Sequence, residues 1–381
     1  MPKPKSLFLV AGEPSGDARG AELVLSLKSL DPTIEFSGLG GSRMEQAGVK
    51  IVYNLPQLAA LGFGDVLKQY FRIRSLFYRT LRVIRELRPS AVVLIDFPGF
   101  NIRLAKKINR RVPVFYFVSP QIWAWGKRRL STIRKHVHHM IVLFRFEKEI
   151  YDEAHVTATW VGHPLVDACS PSQPSAQLKK GFSLRDGERA IALLPGSRQT
   201  EVRRILPVVM ETAELIAKRS EGRCHFLISE SDNIPPSVFD GILSAYTGKI
   251  SFQRIPGRIQ DMLAVADAAI VASGTATLET ALAGVPFVIV YKTAWSTYLL
   301  GKRLVRIPYI GLANVIAGRK IVEEFIQNEA RPEKIARDIL RLLNDHGSRQ
   351  KLVKDLKELR EKLGPPGASH RAAQTILRLL S

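Results

Sequence analysis

Short apolar segments alternate with longer amphipathic segments along most of this chain, and this alternation restricts the fold more than any other feature. The apolar segments include SLFLVAG, SAVVLID and VPVFYFVS in the first half, and AIALLPG, AAIVASG and VPFVIVY in the second. Strands that are apolar throughout are buried on both faces, which is typical of parallel sheets covered by helices. The chain is therefore predicted to be α/β, with doubly wound parallel sheets.

The length of the chain and the distribution of Pro and Ser predict two domains. A chain of 381 residues exceeds one ordinary core, since a domain averages roughly 150 residues. The Pro- and Ser-rich stretch 169–176 indicates a linker. We expect an N-terminal domain over 1–168, a linker over 169–180, a C-terminal domain over 181–345 and a helical tail over 346–381. The tail helices are expected to pack back on the first domain.

Composition limits the compartment and the partners. The two cysteines, Cys169 and Cys224, cannot build a disulfide framework, which fits a reducing cytosol. We expect neither a signal peptide nor a membrane-spanning helix, because the first apolar run leads into a polar corner and the uncharged stretches are short or broken by Pro. The net charge of +21 predicts an anionic partner: nucleic acid, a membrane surface or a phosphorylated substrate.

Two turns in the second half are predicted to bind a nucleotide. AIALLPGSRQTEV reads as strand, Gly-containing turn and helix, so Gly196, Ser197 and Arg198 form a candidate phosphate site at a helix N-terminus. The alternative is an ordinary capped helix, and the segment lacks the Walker pattern GxxxxGK[ST].

The second of these turns follows the strand AAIVA. Ser273, Gly274 and Thr275 form it, and Glu279 lies one helical turn further on. A carboxylate at that position can accept hydrogen bonds from a ribose diol, as acidic residues do in dinucleotide-binding folds. The alternative is a surface glutamate on an amphipathic helix.

Polar residues also follow two strands in the first half. VAGEPSGD places Glu13, Ser15, Gly16 and Asp17 at a strand-to-helix corner, where ligands of α/β sheets bind. LIDFPGFN places Asp96 at the end of a buried strand, where a carboxylate is a candidate general base. Part of the first corner must be structural, because its glycines suit a tight turn.

These motifs occur in one order with SPQIWAWGKRRL, FEKEIYD, VGHPLVD and NVIAGRK, and together they resemble the lipid-A-disaccharide synthases. The donor half is similar to that of GT-B glycosyltransferases, which have two Rossmann-like domains facing a cleft. The resemblance implies an inverting transfer of diacylglucosamine from UDP to the 6-hydroxyl of diacylglucosamine 1-phosphate. The products are the β-1,6-linked lipid A disaccharide 1-phosphate and UDP. No cofactor or metal is expected, in agreement with the lack of a DxD triplet.

The resemblance also suggests roles for individual residues. Asp96, Glu13 and Asp17 remain rival candidates for the base, and Arg198 is expected to hold either the donor diphosphate or the acceptor phosphate. Asn314 matches a family position near the donor; its alternative is an ordinary turn residue. The expected substrate-binding residues are Ser15, Gly16, Asn101, Gly196, Ser197, Arg198, Ser273, Gly274, Thr275, Glu279 and Asn314.

The segment 65–87 is predicted to contact a membrane. It has no acidic residue between Val66 and Arg85, and its basic residues are interleaved with apolar ones. Spacings of three and four predict that Tyr70, Ile73, Phe77, Leu81 and Ile84 form the buried face of one helix. The remaining apolar residues are expected to rest on an anionic bilayer or to admit acyl chains; they are Phe63, Val66, Leu67 and Phe71. The resulting prediction is a cytoplasmic protein peripherally associated with the inner face of the inner membrane.

Other readings of the sequence are weaker. A nucleic-acid-binding protein would need a recognisable module, and none is present. A UDP-N-acetylglucosamine epimerase or a peptidoglycan-precursor transferase would share the donor half, but neither resembles IDFPGFN and SPQIWAWGKRR. His136 and His139 in HVHH have the spacing of metal ligands but no neighbouring carboxylate or Cys, so no metal site is predicted. The oligomeric state is left open.

Overall fold

The chain forms two compact α/β units in the computed structural model, which describes residues 5–55, 66–221, 223–232, 234–295, 298 and 308–380. One unit comprises Met1–Pro164 with Leu363–Ser381, and the other comprises Leu165–Lys362. Each is built on its own parallel sheet, so the predicted fold class is confirmed.

Seven strands form the sheet of the first unit, within the part of the chain described. They are β1 (Ser6–Ala11), β2 (Glu35–Gly40), β3 (Lys50–Asn54), β4 (Ala91–Ile95), β5 (Val114–Phe117), β6 (His139–Val142) and β7 (Ala158–Trp160). Their order in the sheet is β3-β2-β1-β4-β5-β6-β7. The direction of winding therefore reverses between β1 and β4, which makes their carboxyl ends the topological switch point.

Helices connect these strands and cover the sheet. They are α1 (Pro14–Leu30), α2 (Ser42–Gln46), α3 (Val66–Leu87), α4 (Pro98–Ile108), α5 (Ile122–Trp125), α6 (Leu130–His136) and α7 (Arg145–Glu153). The core lies between sheet and helices, and it includes Phe8, Val10, Val92, Leu94, Tyr116, Met140, Leu81, Ile84, Leu104 and Ile133. The apolar strand segments of the sequence are thus buried as predicted.

The second unit has the same plan with six strands in the described residues. They are β8 (Arg189–Leu194), β9 (Cys224–Glu230), β10 (Phe252–Pro256), β11 (Ala268–Ala272), β12 (Phe287–Tyr291) and β13 (Glu324–Ile326). Their order, β10-β9-β8-β11-β12-β13, places the switch point between β8 and β11.

Helices connect the strands of the second unit and cover its sheet. They are α8 (Leu165–Ala168), α9 (Ser175–Gly181), α10 (Gln199–Arg219), α11 (Pro236–Leu243), α12 (Ile259–Val265), α13 (Ala276–Leu282), α14 (Leu312–Ala317), α15 (Pro332–Asn344) and α16 (His346–Lys362). No helix in the described ranges is both long enough and apolar enough to cross a bilayer.

The predicted linker 169–180 is structured and belongs to the second unit. Its second half forms most of α9. Its first half is fixed because the backbone N–H and hydroxyl of Ser172 both donate to the Asp261 carboxylate, at 2.7 and 2.8 Å. The division between the units accordingly falls at Pro164, a few residues before the expected boundary.

The predicted tail 346–381 is divided between the units. Helix α16 stays with the second unit, where it packs on α13 and α14, while the last helix, α17 (Ala368–Leu380), packs on α1 of the first unit. The crossover is tied to the first unit by the Arg371 guanidinium, which donates to the Val161 carbonyl at 2.8 Å. The expectation that C-terminal helices pack back on the first domain is therefore confirmed for α17, whereas α16 does not take part.

Candidate active site

The switch point of the first unit brings together the two polar corners of the first half of the chain. Ala11 and Ile95 are paired at the ends of β1 and β4, so Glu13 and Asp96 follow neighbouring strand ends. Gly12 allows the two corners to pack, because a Cβ there would lie 2.3 Å from ring atoms of Phe97.

Asp96 begins a strained turn. Asp96 and Phe97 have φ values of 46° and 47°, and Pro98 then opens helix α4. Left-handed backbone costs a residue with a side chain about 1–3 kcal/mol, and such strain persists only where surrounding contacts hold it. The Asp96 N–H donates to the Phe117 carbonyl at 3.0 Å. Its own carbonyl accepts the amide of Asn101 at 2.8 Å and the hydroxyl of Tyr116 at 2.6 Å.

The Asp96 carboxyl has the electrostatics of a general base. Burial raises its pKa to about 6, the negative charge of Glu13 contributes in the same direction, and the Phe97 N–H acts in the opposite direction. A base works best when its pKa is near the operating pH, because it is then both deprotonated and basic enough to take a proton. Asp96 therefore combines accessibility at a strand end with a suitably raised pKa.

Asp17, a rival for the same role, is engaged elsewhere. Its carboxylate is buried and accepts the backbone N–H groups of Gly41, Met44 and Arg43 at 2.6, 3.2 and 3.1 Å. These contacts cap α2 and tie it to α1. The structure thus gives Asp17 a structural role and leaves Asp96 and Glu13 as the stronger candidates.

The start of α1 presents the other residues of that corner. Glu13 and Ser15 are exposed, Gly16 is buried, and no side chain caps the helix. The N-terminus of this helix can therefore attract an anionic or hydroxylated ligand through its backbone. Glu13 and Ser15 remain available to a substrate.

Asn101 does not have the predicted substrate-binding position. Its side chain is fully buried, and its Nδ2 lies 3.3, 3.2 and 2.8 Å from the carbonyls of Val10, Ile95 and Asp96. These carbonyls lie at the ends of β1 and β4, so the Asn101 side chain links the two strand ends at the switch point. It contacts the backbone of the proposed base, not the surface.

In the second unit, the turn after β8 is built around a glycine and a carboxylate. Gly196 has a φ of 122°, and a Cβ there would lie 2.8 Å from the Glu201 carboxylate. Glu201 accepts the Ser197 N–H and the Arg198 guanidinium, both at 3.3 Å. The Arg198 side chain is 75% exposed, so it can turn toward a phosphate. The Ser197 N–H and the Arg198 guanidinium, which are predicted to bind an anion, therefore lie close together and are bonded to the Glu201 carboxylate.

The turn after β11 lies next to the turn after β8, since β8 and β11 are paired. Gly274 and Thr275 are exposed, and a Cβ on Gly274 would meet no neighbouring atom within 4 Å. Glu279 is partly buried in α13 and accepts a hydrogen bond from Gln260 at 3.4 Å. Its carboxylate lies in the first turn of α13, close to the exposed residues Gly274 and Thr275.

Asn314 has a structural role and not the predicted role near the donor. It is fully buried, and its Oδ1 accepts the N–H groups of Ile321 and Val322 at 2.8 and 2.9 Å. Its Nδ2 donates to the Val322 carbonyl and to the Glu324 carboxylate, both at 2.8 Å. These four bonds use the full capacity of an amide. The residue therefore fixes the approach to β13 and has no group left for a donor.

Sequence reasoning missed a second buried polar cluster near the ends of β5 and β6. Glu147 is buried, and this burial raises its pKa to about 8. Its carboxylate accepts the Phe144 N–H at 3.3 Å and so caps α7. Nearby, the hydroxyls of Ser119 and Tyr151 are 2.9 Å apart. Nothing in FEKEIYD marks Glu147 as buried, because charged residues are normally exposed.

The histidines of HVHH have separate environments. His139 Nε2 lies 2.8 Å from the Thr159 hydroxyl, and burial lowers the pKa of both His136 and His139. Within the described residues, no group of three or more His, Cys, Asp or Glu side chains could hold a metal ion.

The fold and the two switch points define a class of protein. The architecture matches that of MurG from Acinetobacter baumannii, with a TM-score of 0.58 and 15% identity over 98% of this chain and 100% of that one. It also matches a UDP-GlcNAc 2-epimerase from Neisseria meningitidis, with a TM-score of 0.62 and 14% identity over 98% of this chain and 100% of that one. At such low identity these similarities establish the fold alone: the chain has the GT-B fold of glycosyltransferases.

The sequence comparisons give the family within that class. The model of the lipid-A-disaccharide synthetase family matches residues 7–378. The lipid-A-disaccharide synthase of Coxiella burnetii (strain CbuG_Q212) is 40% identical over 377 residues, which cover 99% of each chain. That of Syntrophus aciditrophicus (strain SB) is 39% identical over 380 residues, covering 99% of this chain and 98% of the relative. The chain belongs to the lipid-A-disaccharide synthetase family, and the predicted function in lipid A disaccharide synthesis is confirmed.

Proposed function

We propose that this glycosyltransferase uses Asp96 as the base when it joins UDP-2,3-diacylglucosamine to 2,3-diacylglucosamine 1-phosphate. The observation that carries the proposal is the strand-end carboxyl of Asp96, whose pKa is raised to about 6 at the switch point of the first sheet. Asp96 takes the proton of the acceptor 6-hydroxyl while its oxygen attacks the anomeric carbon of the donor. The bond from that carbon to the diphosphate breaks, and UDP leaves with the electron pair. A single displacement of this kind inverts the anomeric configuration.

The second unit supplies the donor-binding groups in this proposal. Gly196 and Ser197 lie just before helix α10, a helix of 21 residues whose dipole favours a negatively charged diphosphate at its start. Arg198 can form a forked contact with phosphate oxygens. Glu279 accepts hydrogen bonds from the ribose diol in this proposal, next to the small residues Ser273, Gly274 and Thr275. Fixed dipoles and a guanidinium stabilise the leaving diphosphate without a metal ion.

Several positions keep the roles that the sequence suggested, as part of the same proposal. Glu13 raises the pKa of Asp96, and Ser15 and Gly16 line the acceptor corner. In this proposal Asp17, Asn101 and Asn314 have structural roles, because their buried side chains bind groups of the protein itself.

We also propose that helix α3 rests on the anionic inner face of the inner membrane, where the acylated substrates are found. On this helix Phe71 is 58% exposed and Tyr78 is 53% exposed, while Leu81 and Ile84 are buried. The same helix carries five exposed arginines: Arg72, Arg74, Arg79, Arg82 and Arg85. Each basic residue near an anionic surface adds about 1 kcal/mol. Phe63 lies outside the described residues, as do the side chains of Val66, Leu67 and Tyr70.

An assay with both lipid substrates tests the reaction. Purified protein is incubated with UDP-2,3-diacylglucosamine and 2,3-diacylglucosamine 1-phosphate, UDP release is followed, and the lipid product is analysed by mass spectrometry and by proton NMR. We expect equal amounts of UDP and a β-linked disaccharide 1-phosphate. An α-linked product would contradict the single displacement, and UDP release without disaccharide would contradict the choice of acceptor.

A further inference from the structure

The backbone carbonyl of Asp96 is held by two buried side chains that no catalytic step uses. The Tyr116 hydroxyl donates to it at 2.6 Å from β5, and the Asn101 amide donates to it at 2.8 Å from α4. The Asp96 N–H is bonded on its other side to the Phe117 carbonyl at 3.0 Å. The peptide groups on both sides of this Cα are therefore fixed, which sets the direction of the Cα–Cβ bond that carries the carboxyl.

This restraint acts on a backbone that would otherwise relax. Asp96 and Phe97 are consecutive left-handed residues, and neither is a glycine. Side chains disfavour that conformation because Cβ approaches the following carbonyl oxygen. Loss of one of the two donors would weaken the restraint on the Asp96 carbonyl and would let the carboxyl move toward solvent.

Tyr116 is suited to remain a donor at every working pH. Its side chain is wholly buried, and burial, reinforced by the Asp96 carboxylate, raises the pKa of its hydroxyl well above the ordinary value. The hydroxyl proton is therefore always present. Three other titratable groups act on Asp96 and Tyr116. Glu13 raises the pKa of Asp96, while Tyr151 raises and Arg129 lowers the pKa of the Tyr116 hydroxyl.

Asn101 is the complementary contact from the other side. Its Nδ2 faces three carbonyl oxygens, so the amide can point only one way. Its Oδ1 is buried and has no hydrogen-bond partner among the described residues. The contacts of this side chain with the protein are therefore made by its donor end.

We propose that Tyr116 and Asn101 are positioning residues that hold the Asp96 carboxyl in its productive direction and in its buried position. The inference rests on the proposed role of Asp96 as the base. Neither residue touches a substrate. They act only through the backbone of Asp96.

The test compares two buried tyrosines of the same unit, Tyr116→Phe and Tyr151→Phe. Tyr151 is also fully buried, but its hydroxyl contacts Ser119 instead of Asp96. For Tyr116→Phe we expect kcat to fall about ten- to a hundred-fold, the cost of a small misplacement of a reacting group, with KM within about two-fold. The acid limb of the kcat/KM profile, which reports the base of the free enzyme, should move from about 6 toward the ordinary value of 3.8, because the carboxyl loses burial. Tyr151→Phe should keep the wild-type limb.

Each outcome bears on one claim. A fall in kcat with a lowered limb in Tyr116→Phe alone supports positioning. The positioning role is overturned if Tyr116→Phe changes neither kcat nor the acid limb of the kcat/KM profile. It is also overturned if kcat falls equally in both variants while the acid limb stays at its wild-type pH. The thermal melt of Asn101→Ala shows whether this variant folds. If it folds, its acid limb of kcat/KM should move to lower pH, as in Tyr116→Phe. Asp96→Asn is measured in parallel, because turnover near wild type there would remove the proposed base itself, whatever the tyrosines show.

Discussion

The switch point of the first sheet presents a carboxyl group, whereas that of the second presents a helix start, small residues and a guanidinium. At the first, Asp96 is mostly buried and its backbone is hydrogen-bonded on both sides. At the second, Gly274, Thr275 and the Arg198 side chain are exposed. A group that must take one proton needs a fixed direction and a raised pKa. In the proposed function, fixed dipoles and the exposed Arg198 guanidinium bind the diphosphate. In the proposed function the same topology therefore supports two kinds of chemistry, and variants at each switch point test that contrast.

The largest effect is expected at the first switch point. Asp96→Asn keeps the shape of the side chain but cannot accept the proton, so turnover should fall about 10²–10⁴-fold with unchanged UDP affinity. Initial rates of UDP release and calorimetric titration with UDP measure the two quantities. Asp186→Asn, an exposed position in the second unit, is the matched control. Turnover within a few-fold of wild type in Asp96→Asn would transfer the role to Glu13.

At the second switch point we expect a loss of UDP affinity. Glu279→Ala should weaken UDP binding about ten- to a hundred-fold, since a hydrogen bond to a charged group contributes about 1.5–3 kcal/mol. Calorimetry with UDP measures this directly, and addition of a chelator should leave wild-type affinity unchanged. Unchanged affinity in the variant would remove Glu279 from the ribose site. A strict requirement for magnesium would contradict the proposed metal-free binding.

A smaller effect is expected on α3, away from both switch points. Phe71→Ser combined with Tyr78→Ser should lower binding to anionic vesicles by several-fold, since it removes the two exposed rings. Activity on acceptor presented in vesicles should fall with it, while UDP affinity stays the same. Co-sedimentation with vesicles of phosphatidylglycerol and phosphatidylethanolamine measures the binding. Leu25→Ser, another exposed apolar position, is the control; equal losses in both would show a general surface effect.

The smallest effect is expected on the pKa of Asp96. Glu13→Gln removes a negative charge that raises the pKa of Asp96, so the acid limb of kcat/KM should move below 6. It should remain above the ordinary value of 3.8, because burial is the larger cause and is unchanged. The kcat at the plateau should stay within a few-fold of wild type. A limb that does not move would mean that Glu13 lies too far from the reacting carboxyl in solution, and loss of the plateau rate would give Glu13 a direct part in the reaction.

Local patterns predicted the elements and several site positions. The apolar runs became the strands of two parallel sheets, and Gly196, Ser273 and Asp96 follow strand ends as predicted. These features depend on neighbours in sequence, because strand burial, turn geometry and helix starts are decided within a few residues. The polar corners could therefore be found before any tertiary contact was known.

What the sequence could not decide was which polar side chains at those corners have free groups. Asp17 is used by backbone groups 24 to 27 residues away, and Asn101 reaches the Val10 carbonyl 91 residues away. The hydrogen bonds of Asn314 are all made to residues 321–324, which lead into β13. The sequence by itself determined the sheets, their strand-end turns and the family, because those follow from local pattern and motif order. Only the tertiary structure separated Asp96 and Glu13 from residues of the same chemical type, because a buried polar group must find partners wherever the fold brings them.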